Sequence, residues 1–229
     1  PVPVRLVIGD GPSGGDAERI DPGTLLGSSG EWYNPPLRTA AFGVSDPEAE
    51  RLDRLSHAGI ESTVSALASA WQLSADTCLL SVTPAWDERT AVDLLVALAS
   101  GARFWSVAPG EFPSGSAGTE QLDLLGVRWI RAPASFLEDL LDRGWRGASG
   151  CAAVCDLNDL TDRNTERLLG AFGELWVLFG SVEAACWSSA RRIERPAERH
   201  LLAPLPNHFL SVIGPRDTLA PIGVPGIVA

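Results

Sequence analysis

Acidic side chains follow two short apolar segments that have the composition of buried β-strands. Asp87 and Glu88 come after CLLSV (78–82), beside a tryptophan, and Glu183 comes after ELWVLFG (174–180). Two adjacent carboxylates beside an aromatic ring are able to bind an amine-bearing ligand. The structural alternative is a helix cap, in which one carboxylate accepts hydrogen bonds from the first backbone N–H groups. A single carboxylate such as Glu183 is a weak magnesium signal, because Mg²⁺ sites combine carboxylates with substrate phosphates.

The chain lacks the residues on which several other chemistries depend. Its 229 residues include no lysine and no methionine, so all 18 basic side chains are arginine. Schiff-base chemistry and a lysine-containing P-loop are therefore excluded. Ser45, Ser56 and Ser181 lie in no GxSxG nucleophile elbow, and the histidines have no zinc-ligand spacing with the four cysteines. We predict no catalytic residue and no metal site.

The charge balance restricts the kinds of partner. The 29 acidic and 18 basic residues give a formal net charge of −11, which disfavours nucleic acid because phosphate neutralisation requires a basic face. No apolar run reaches the roughly 18–20 residues of a membrane span. The cysteines form no CxxC pair, which indicates buried, reduced thiols in a cytosolic protein. We therefore predict a cytoplasmic protein that binds neither nucleic acid nor membranes.

Short apolar runs alternate with longer amphipathic ones, which predicts an α/β fold with a mostly parallel sheet flanked by helices. Strands are predicted over 4–9, 38–44, 78–82, 102–107, 127–133, 151–156 and 174–180. Helices are predicted over 47–71, 89–100, 119–125, 134–143 and 160–172. We expect residues 1–192 to form the α/β core and residues 193–229 to form a short β-rich segment of the same subdomain.

The loop after the second predicted strand has an acidic composition. It reads Ser-Asp-Pro-Glu-Ala-Glu over residues 45–50, with no glycine beyond Gly43. In open parallel sheets ligands bind beyond the carboxyl ends of the strands, where such loops lie. A phosphate cradle needs glycines for close backbone approach and a cation for the charge, and three carboxylates repel a polyphosphate. We interpret this loop as a solvated helix start, with Asp46 as the cap and Pro47 at the first position.

Taken in order, these segments resemble the large subdomain of adenylate-forming enzymes, especially the adenylation domains of nonribosomal peptide synthetases. The resemblance covers nearly all of the chain. The segments that carry it, each with the family sequence it looks like, are LSHAGI (55–60) with SHRGL, LASGARFWSVAPG (98–110) with LLSGATLVLAP, VRWIRAPASFLEDLLD (127–142) with VTVLNLVPSLLRALL, LFGSVEAACW (178–187) with YGPTEATVW, and PIGVPG (221–226) with PVGVPGEL.

The departures from this family fall on the residues that handle ATP. The family binds the ATP phosphates with a loop like TSGSTGRPKG, whereas residues 43–51 read GVSDPEAER, without lysine. In the family's YGPTE, the threonine contacts the nucleotide phosphate and the glutamate helps to hold Mg²⁺. Here Val182 takes the threonine position and Glu183 remains. The resemblance therefore implies that Phe179, Gly180 and Glu183 are vestigial ATP and Mg²⁺ positions.

The resemblance also implies a substrate position and a function. Asp87 or Glu88 matches, depending on a one-residue gap, the aspartate with which the family grips the substrate amino group. The chain has no counterpart of the family's first portion, its ribose-binding aspartate or its small subdomain with the catalytic lysine. The implied protein is a degenerate, truncated adenylation domain that is catalytically inactive and needs no cofactor. It would serve as a structural or docking platform in a peptide synthetase, with condensation, oxidase and carrier-protein domains as partners.

Two other functions stay open at this point. The chain is alternatively a segment of an active amino-acid adenylating domain that uses Mg-ATP, with the missing groups supplied by the rest of a parent protein. It is alternatively a binding module that keeps the acyl pocket without ATP. In that case Asp87, Glu88 and Glu183 would face an amine-bearing ligand.

Overall fold

The computed structural model divides the chain into two compact units, Pro1–Pro36 and Leu37–Ala229. The described residues are 6–8, 18–20, 40–46, 51–84, 87–145, 147–215 and 218–228. In the first unit, strand β1 (Leu6–Ile8) pairs in parallel with strand β2 (Glu18–Ile20). The central three residues of the strand predicted over 4–9 therefore form a strand in the structure. All elements named below belong to the second unit.

An antiparallel hairpin opens the second unit and leads directly into a helix. Strand β3 (Ala40–Asp46) pairs with strand β4 (Arg51–Ser56), and helix α1 (His57–Trp71) follows. The register places Asp46 opposite Arg51. Asp46, predicted as a helix cap, is therefore a strand residue, and Pro47, predicted as the first helical position, lies outside the described residues.

The helix predicted from Pro47 is wrong over its first part, because Arg51–Ser56 form β4. The sequence EAERLDR has high helix propensity, but propensity differences amount to only tenths of a kcal/mol per residue. Pairing with β3 satisfies the backbone groups of β4 and outweighs this preference. The helix instead begins after Ser56, whose hydroxyl accepts a hydrogen bond of 3.1 Å from the backbone N–H of Gly59.

A six-stranded sheet forms the centre of the second unit. Its strands are β5 (Cys78–Val82), β6 (Arg103–Val107), β7 (Val127–Arg131), β8 (Ala152–Asp156), β9 (Glu174–Phe179) and β10 (Ser189–Ile193). The strand order is β10-β9-β8-β7-β5-β6. The first five strands in chain order run parallel, and β10 runs antiparallel to β9. The predicted fold class is confirmed.

Helices cover both faces of this sheet. After α1 they are α2 (Glu88–Ser100), α3 (Ser116–Leu125), α4 (Ala134–Asp142) and α5 (Asp162–Ala171). Gly101 ends α2 as a left-handed cap with φ of 70°. At the start of α5, Thr161 and Asn164 form a reciprocal capping box.

The hydrophobic core lies on both sides of the sheet. Leu79 faces α1 and α2, where it joins Leu67 and Val96, and the next residue, Leu80, faces the cluster beneath α3, α4 and α5. Leu79 and Leu80 are both fully buried. This double burial explains why CLLSV reads as a continuous apolar run rather than an alternating one. The four cysteines are buried and free, as predicted.

The chain ends in short β-elements. Strands β11 (Val212–Ile213) and β12 (Ile227–Val228) form a separate antiparallel pair, in keeping with the β-rich segment expected after about residue 193. The division of the chain between residues 192 and 193 stays a prediction. Within the described ranges, no helix has the length and apolar character needed to cross a membrane.

Candidate functional site

A buried ion pair lies at the carboxyl ends of the parallel strands. Arg131, the last residue of β7, is 3% exposed, and its Nε donates to Oδ2 of Asp93, a fully buried residue of α2. Ser81 of β5 donates to the same carboxylate oxygen at 2.6 Å. We call the polar group around this pair the strand-end cluster; its members are Ser81, Thr83, Arg89, Thr90, Asp93, Arg131, Asp156 and Trp187.

A chain of hydroxyl groups extends the cluster from the ion pair. Thr83 Oγ1 lies 2.9 Å from Ser81 Oγ and 2.6 Å from Thr90 Oγ1. Thr90 also donates to the carbonyl oxygen of Pro84 at 2.9 Å. These contacts tie β5, the loop after it and the first turns of α2 together. Because the buried hydroxyl groups are hydrogen-bonded, they avoid the free-energy cost of being removed from water without a new partner.

Asp156 and Trp187 complete the cluster. Asp156, at the end of β8, lies between two guanidinium groups, 3.4 Å from Arg89 Nη1 and 3.9 Å from Arg131 Nη1. The centres of the two guanidinium groups lie 5.5 and 5.7 Å from the ring centroid of Trp187, within the range of cation–π attraction. Trp187 is 1% exposed. The crevice beyond these strand ends is therefore filled by packed side chains.

Burial dominates the electrostatics of the cluster. It raises the pKa of Asp156 to about 6, although Arg131 and Arg89 act in the opposite direction. Burial also raises the pKa of Asp93 against the attraction of Arg131. For Arg131, burial acts to lower the pKa, but the carboxylates of Asp93 and Asp156 raise it overall. The guanidinium therefore keeps its charge, and the carboxylates are the groups that titrate.

The stability of the protein should depend on pH through Asp156. Because its pKa is raised from 3.8 to about 6 in the folded chain, the folded state holds the proton more tightly than the unfolded state. The stabilisation is complete below about pH 4 and is lost as the pH rises through about 6, a change of about 3 kcal/mol at most. Urea unfolding of the wild type and of Asp156→Asn from about pH 4 to 7 measures it. The wild type should lose stability relative to the variant as the pH rises, and parallel curves would contradict this assignment.

The predicted substrate residues Asp87 and Glu88 lie at the start of α2. Asp87 is the N-cap, and its Oδ1 accepts a hydrogen bond of 2.8 Å from the backbone N–H of Arg89. Glu88 is the first helical residue and is partly buried. The helix cap, which was the alternative to a ligand-binding role for this pair, is therefore present at Asp87. Their role in binding a substrate stays a prediction.

The predicted nucleotide positions lie after β9. Phe179 is the last residue of β9 and pairs with Ser189 of β10. Glu183 lies in a single 3₁₀ turn, Val182–Ala184, and is exposed. Among the described residues, no group of three His, Cys, Asp or Glu side chains is arranged to hold a metal ion. A vestigial nucleotide role for Phe179 and Glu183 stays a prediction.

Gly180 is required by close packing of the chain on itself. A Cβ atom at this position would lie 2.3 Å from the carbonyl oxygen of Cys186 and 2.6 Å from the Cα of Trp187. The returning chain passes through left-handed backbone at Ala185 and Cys186, with φ of 56° and 73°. The turn that brings Trp187 into the strand-end cluster therefore accounts for the glycine without any nucleotide.

Replacing Gly180 with alanine should destabilise the protein by about 2–3 kcal/mol, because the added methyl group overlaps backbone atoms that cannot move independently. Gly170 provides the matched control. It lies in α5, and a Cβ there meets nothing within 4 Å, so Gly170→Ala should stabilise the helix by up to about 1 kcal/mol. Denaturant midpoints of the two variants test this, and equal midpoints would contradict the packing argument.

The sequence argument missed the ion pair itself. Asp93 interrupts the apolar run AVDLLVALA, and Arg131 ends the apolar strand VRWIR. A charge inside an apolar pattern is a signal for a buried pair, since an isolated buried charge is very costly. Which residue pairs with Asp93 depends on β7 lying beside β5, and the pattern of the sequence does not determine that neighbour.

Comparison with known structures places this sheet and its helices in a recognised fold. At TM-score 0.76 and 18% identity, the chain matches an artificially fused adenylation–PCP di-domain, NpsA-ThdA of Klebsiella oxytoca, over 98% of its own length and 44% of that chain. It matches the NpsA N-terminal subdomain in complex with anthranilyl-AMSN at TM-score 0.77 and 19% identity, over 98% of its own length and 59% of that chain. The chain has the fold of an adenylation domain.

A third match extends this result to a multidomain protein. The adenylation-like chain aligns with a four-domain nonribosomal peptide synthetase bound to AMP and glycine at 29% identity and TM-score 0.67. That alignment covers 77% of this chain and 14% of the synthetase. No protein-family model matches the chain. The resemblance to adenylation domains is confirmed for the fold, and the adenylation-like chain spans less than two thirds of each of these proteins.

Proposed function

We propose that this adenylation-like chain does not activate a substrate with ATP and serves as a structural platform in a nonribosomal peptide synthetase. The observation that carries the proposal is the β3–β4 hairpin. Its register pairs Asp46 with Arg51, and the sequence between these two residues is Pro-Glu-Ala-Glu. A phosphate cradle requires backbone N–H groups that approach closely and a cation. This sequence contains no glycine, no lysine and two carboxylates.

The residues at the magnesium position support the same proposal. Glu183 is a single carboxylate, and Val182 beside it has no side-chain hydroxyl group to offer a phosphate or a metal. The residues present therefore do not suit Mg-ATP. Adenylyl transfer depends on positioned cations and hydrogen-bond donors, and removing one such group typically costs about 3–4 kcal/mol of transition-state stabilisation.

The strand-end cluster supports a structural role. In open α/β sheets the crevice beyond the strand ends is the usual ligand site. Here Arg131, Asp93 and Trp187 are nearly or fully buried at that place. The ion pair links β7 to α2, and the hydrogen bond from Ser81 to Asp93 adds β5. The hydrogen bonds and ion pairs within the cluster favour a rigid framework over an open pocket, although Asp93 Oδ1 and Asp156 Oδ1 are buried without a hydrogen-bond partner among the described residues.

The kind of partner follows from the matched proteins. One of them is a four-domain synthetase and another is an adenylation domain fused to a PCP domain. We propose neighbouring condensation, oxidase or carrier-protein domains as the partners of this chain. The proposal places the chain in the cytoplasm, and the four free cysteines support this.

Pyrophosphate exchange tests the proposed loss of adenylation. We expect no exchange above background with the parent polypeptide of this chain and a panel of amino and aryl acids, because the active alternative draws its missing groups from that parent. An active adenylation domain in the same assay is the positive control. Exchange with any acid would overturn the proposal and favour the active alternative. Thermal shift with the same panel tests the binding-module alternative, because a ligand at 100 times its Kd stabilises by about 2.7 kcal/mol. A rise in Tm with an amine-bearing ligand would replace the platform with a binding module.

A further inference from the structure

The edge strand β10 and the turn that follows it contain two arginines with unpaired buried donors. The Nε atoms of Arg191 and Arg199 are buried, and neither has a hydrogen-bond partner among the described residues. A donor that is removed from water without a new acceptor costs free energy, and such donors are rare in folded proteins. Two of them, both on guanidinium groups, indicate a place that an external acceptor can occupy.

The two side chains belong to one region of the fold. Arg191 lies opposite Val177 of β9, whose side chain is in the core beneath α3, α4 and α5. Directly opposed residues of paired strands point to the same face of a sheet, so Arg191 points toward the α5 side. Arg199 lies in the 3₁₀ turn Pro196–His200, which contacts both β10 and α5. Both arginines therefore contribute to the region between β10, this turn and α5.

Arg191 differs from the other arginines whose side chains the structure describes. Those that form ion pairs with described carboxylates are Arg89, Arg131, Arg143, Arg167, Arg192, Arg195 and Arg199. Arg103, Arg128 and Arg163 form none and are exposed. Arg191 is partly buried, and its guanidinium group has no ion-pair partner among the described residues. A buried cation without a counter-charge is costly, so Arg191 lowers the stability of the fold unless an anion joins it.

We propose that Arg191 and Arg199 form a binding site for a phosphate group, and we call them the arginine pair. A guanidinium group presents its N–H donors in a planar fork that matches phosphate oxygens. Two such groups from different elements contact different oxygens of a tetrahedral anion. Asp162, which accepts a hydrogen bond from Arg199, is 83% exposed and is a single negative charge beside two positive ones. A phosphate dianion supplies the charge that the arginine pair lacks.

The chain positions the arginine pair by contacts that leave both Nε donors unused. Residues 194–202 leave β10 and return to it, because the N–H of Ala190 donates to the carbonyl oxygen of Ala203 at 3.3 Å. The N–H of Ala203 in turn donates to Ser189 Oγ at 2.9 Å. The turn that carries Arg199 is thus fixed at both of its ends. A site held in this way loses less conformational entropy when it binds a ligand.

A single phosphate group suits this region better than a polyphosphate. The carboxylates of Glu194 and Glu198 lie in the same segment as Arg199, and the net charge of −11 opposes the approach of any anion. We therefore expect a Kd on the order of a few millimolar. Such a site gives no saturable heat with ATP below about 1 mM. The phosphate site and the proposed loss of nucleotide binding are thus tested separately.

Thermal unfolding of the full 229-residue chain in inorganic phosphate tests the proposal. Sodium chloride at equal ionic strength is the reference, and phenyl phosphate is the second probe. Phosphate also stabilises proteins in general because it is excluded from their surfaces, so the measured quantity is the rise in Tm of the wild type beyond that of a variant. With phosphate at about ten times its Kd, the wild type should gain about 3–6 °C over Arg191→Gln.

In sodium chloride alone this advantage of the wild type should vanish or reverse. Arg191→Gln removes a partly buried charge that has no described counter-charge, so the variant should be at least as stable as the wild type there. Arg191→Lys keeps the charge without the fork and should retain part of the phosphate response. Arg163→Gln is the matched control: Arg163 lies exposed on α5 without an ion pair among the described residues, so its replacement should leave the response unchanged.

Three results would overturn the proposal. One is an equal rise in Tm with phosphate in the wild type and in Arg191→Gln, which would leave only the general salt effect. Another is a loss of stability in Arg191→Gln that is as large in chloride as in phosphate, which would make Arg191 a packing residue. The third is an equal loss of response in Arg163→Gln, which would indicate an unspecific effect of charge.

The two probes identify the form in which the phosphate group binds. A response to inorganic phosphate that phenyl phosphate does not reproduce supports a site for the free ion. A response to both probes that depends on Arg191 supports a site for a phosphate group carried by a larger molecule.

Discussion

Replacing Arg131 with methionine is expected to lower the free energy of unfolding by about 3–5 kcal/mol, because the change leaves the buried carboxylate of Asp93 without its counter-charge. Arg131 is the ion-pair partner of Asp93, and the two side chains are 3% and 0% exposed. Ser81 would still donate to Asp93, but one hydroxyl group does not compensate for a buried charge. Urea unfolding at pH 7, followed by tryptophan fluorescence, measures the loss.

The double variant Asp93→Leu/Arg131→Met is the control for this prediction. Replacing both partners of a buried ion pair with apolar residues of similar volume is often neutral or stabilising. The double variant should therefore recover most of the stability that the single variant loses. Because burial raises the pKa of Asp93, the single variant should also recover part of its stability at low pH, where Asp93 takes up a proton. A double variant as unstable as Arg131→Met would show that the pair itself stabilises the fold.

Replacing Trp187 with alanine should cost about 3–5 kcal/mol, the range for removing a buried tryptophan from a core. Trp187 packs in the core beneath α1 and α2 and is 1% exposed. The guanidinium groups of Arg89 and Arg131 also lose the ring against which they lie. Thermal and urea unfolding measure the effect, and a loss below about 1 kcal/mol would contradict the packed crevice.

The variant Trp187→Phe separates the contribution of the buried ring volume from that of the contact between the ring and the guanidinium groups. Phenylalanine keeps an aromatic face for the guanidinium groups and fills part of the volume, so its cost should lie well below that of alanine. The indole Nε1 of Trp187 is buried without a hydrogen-bond partner among the described residues. Its removal therefore adds no penalty from a broken hydrogen bond.

The strands were predictable because parallel strands buried on both faces must be apolar throughout. CLLSV shows this, with Leu79 and Leu80 fully buried on opposite faces. The start of α1 was not predictable from local preference, because the segment EAERLDR favours a helix and pairing with β3 makes part of it a strand. Long-range pairing outweighed propensity at this point.

The candidate site was predictable only in part, for a related reason. Asp87, Glu88 and Glu183 follow strands, and the position of strand ends can be derived from the pattern of the sequence. The partnership of Asp93 with Arg131 depends on the neighbours in the sheet. Gly180 is needed because the backbone of Cys186 packs directly against it and leaves no room for a side chain. The glycine is therefore explained by a contact with backbone from another part of the turn. Such contacts leave no periodic signal.

The central claim is that the adenylation fold is retained here without a site for the nucleotide. Calorimetric titration of Mg-ATP into the full chain tests it most directly, with an active adenylation domain titrated in parallel. We predict no saturable heat for this chain up to about 1 mM ATP, a limit that corresponds to a binding free energy weaker than about −4 kcal/mol. Saturable binding with a Kd in the micromolar range would contradict the claim.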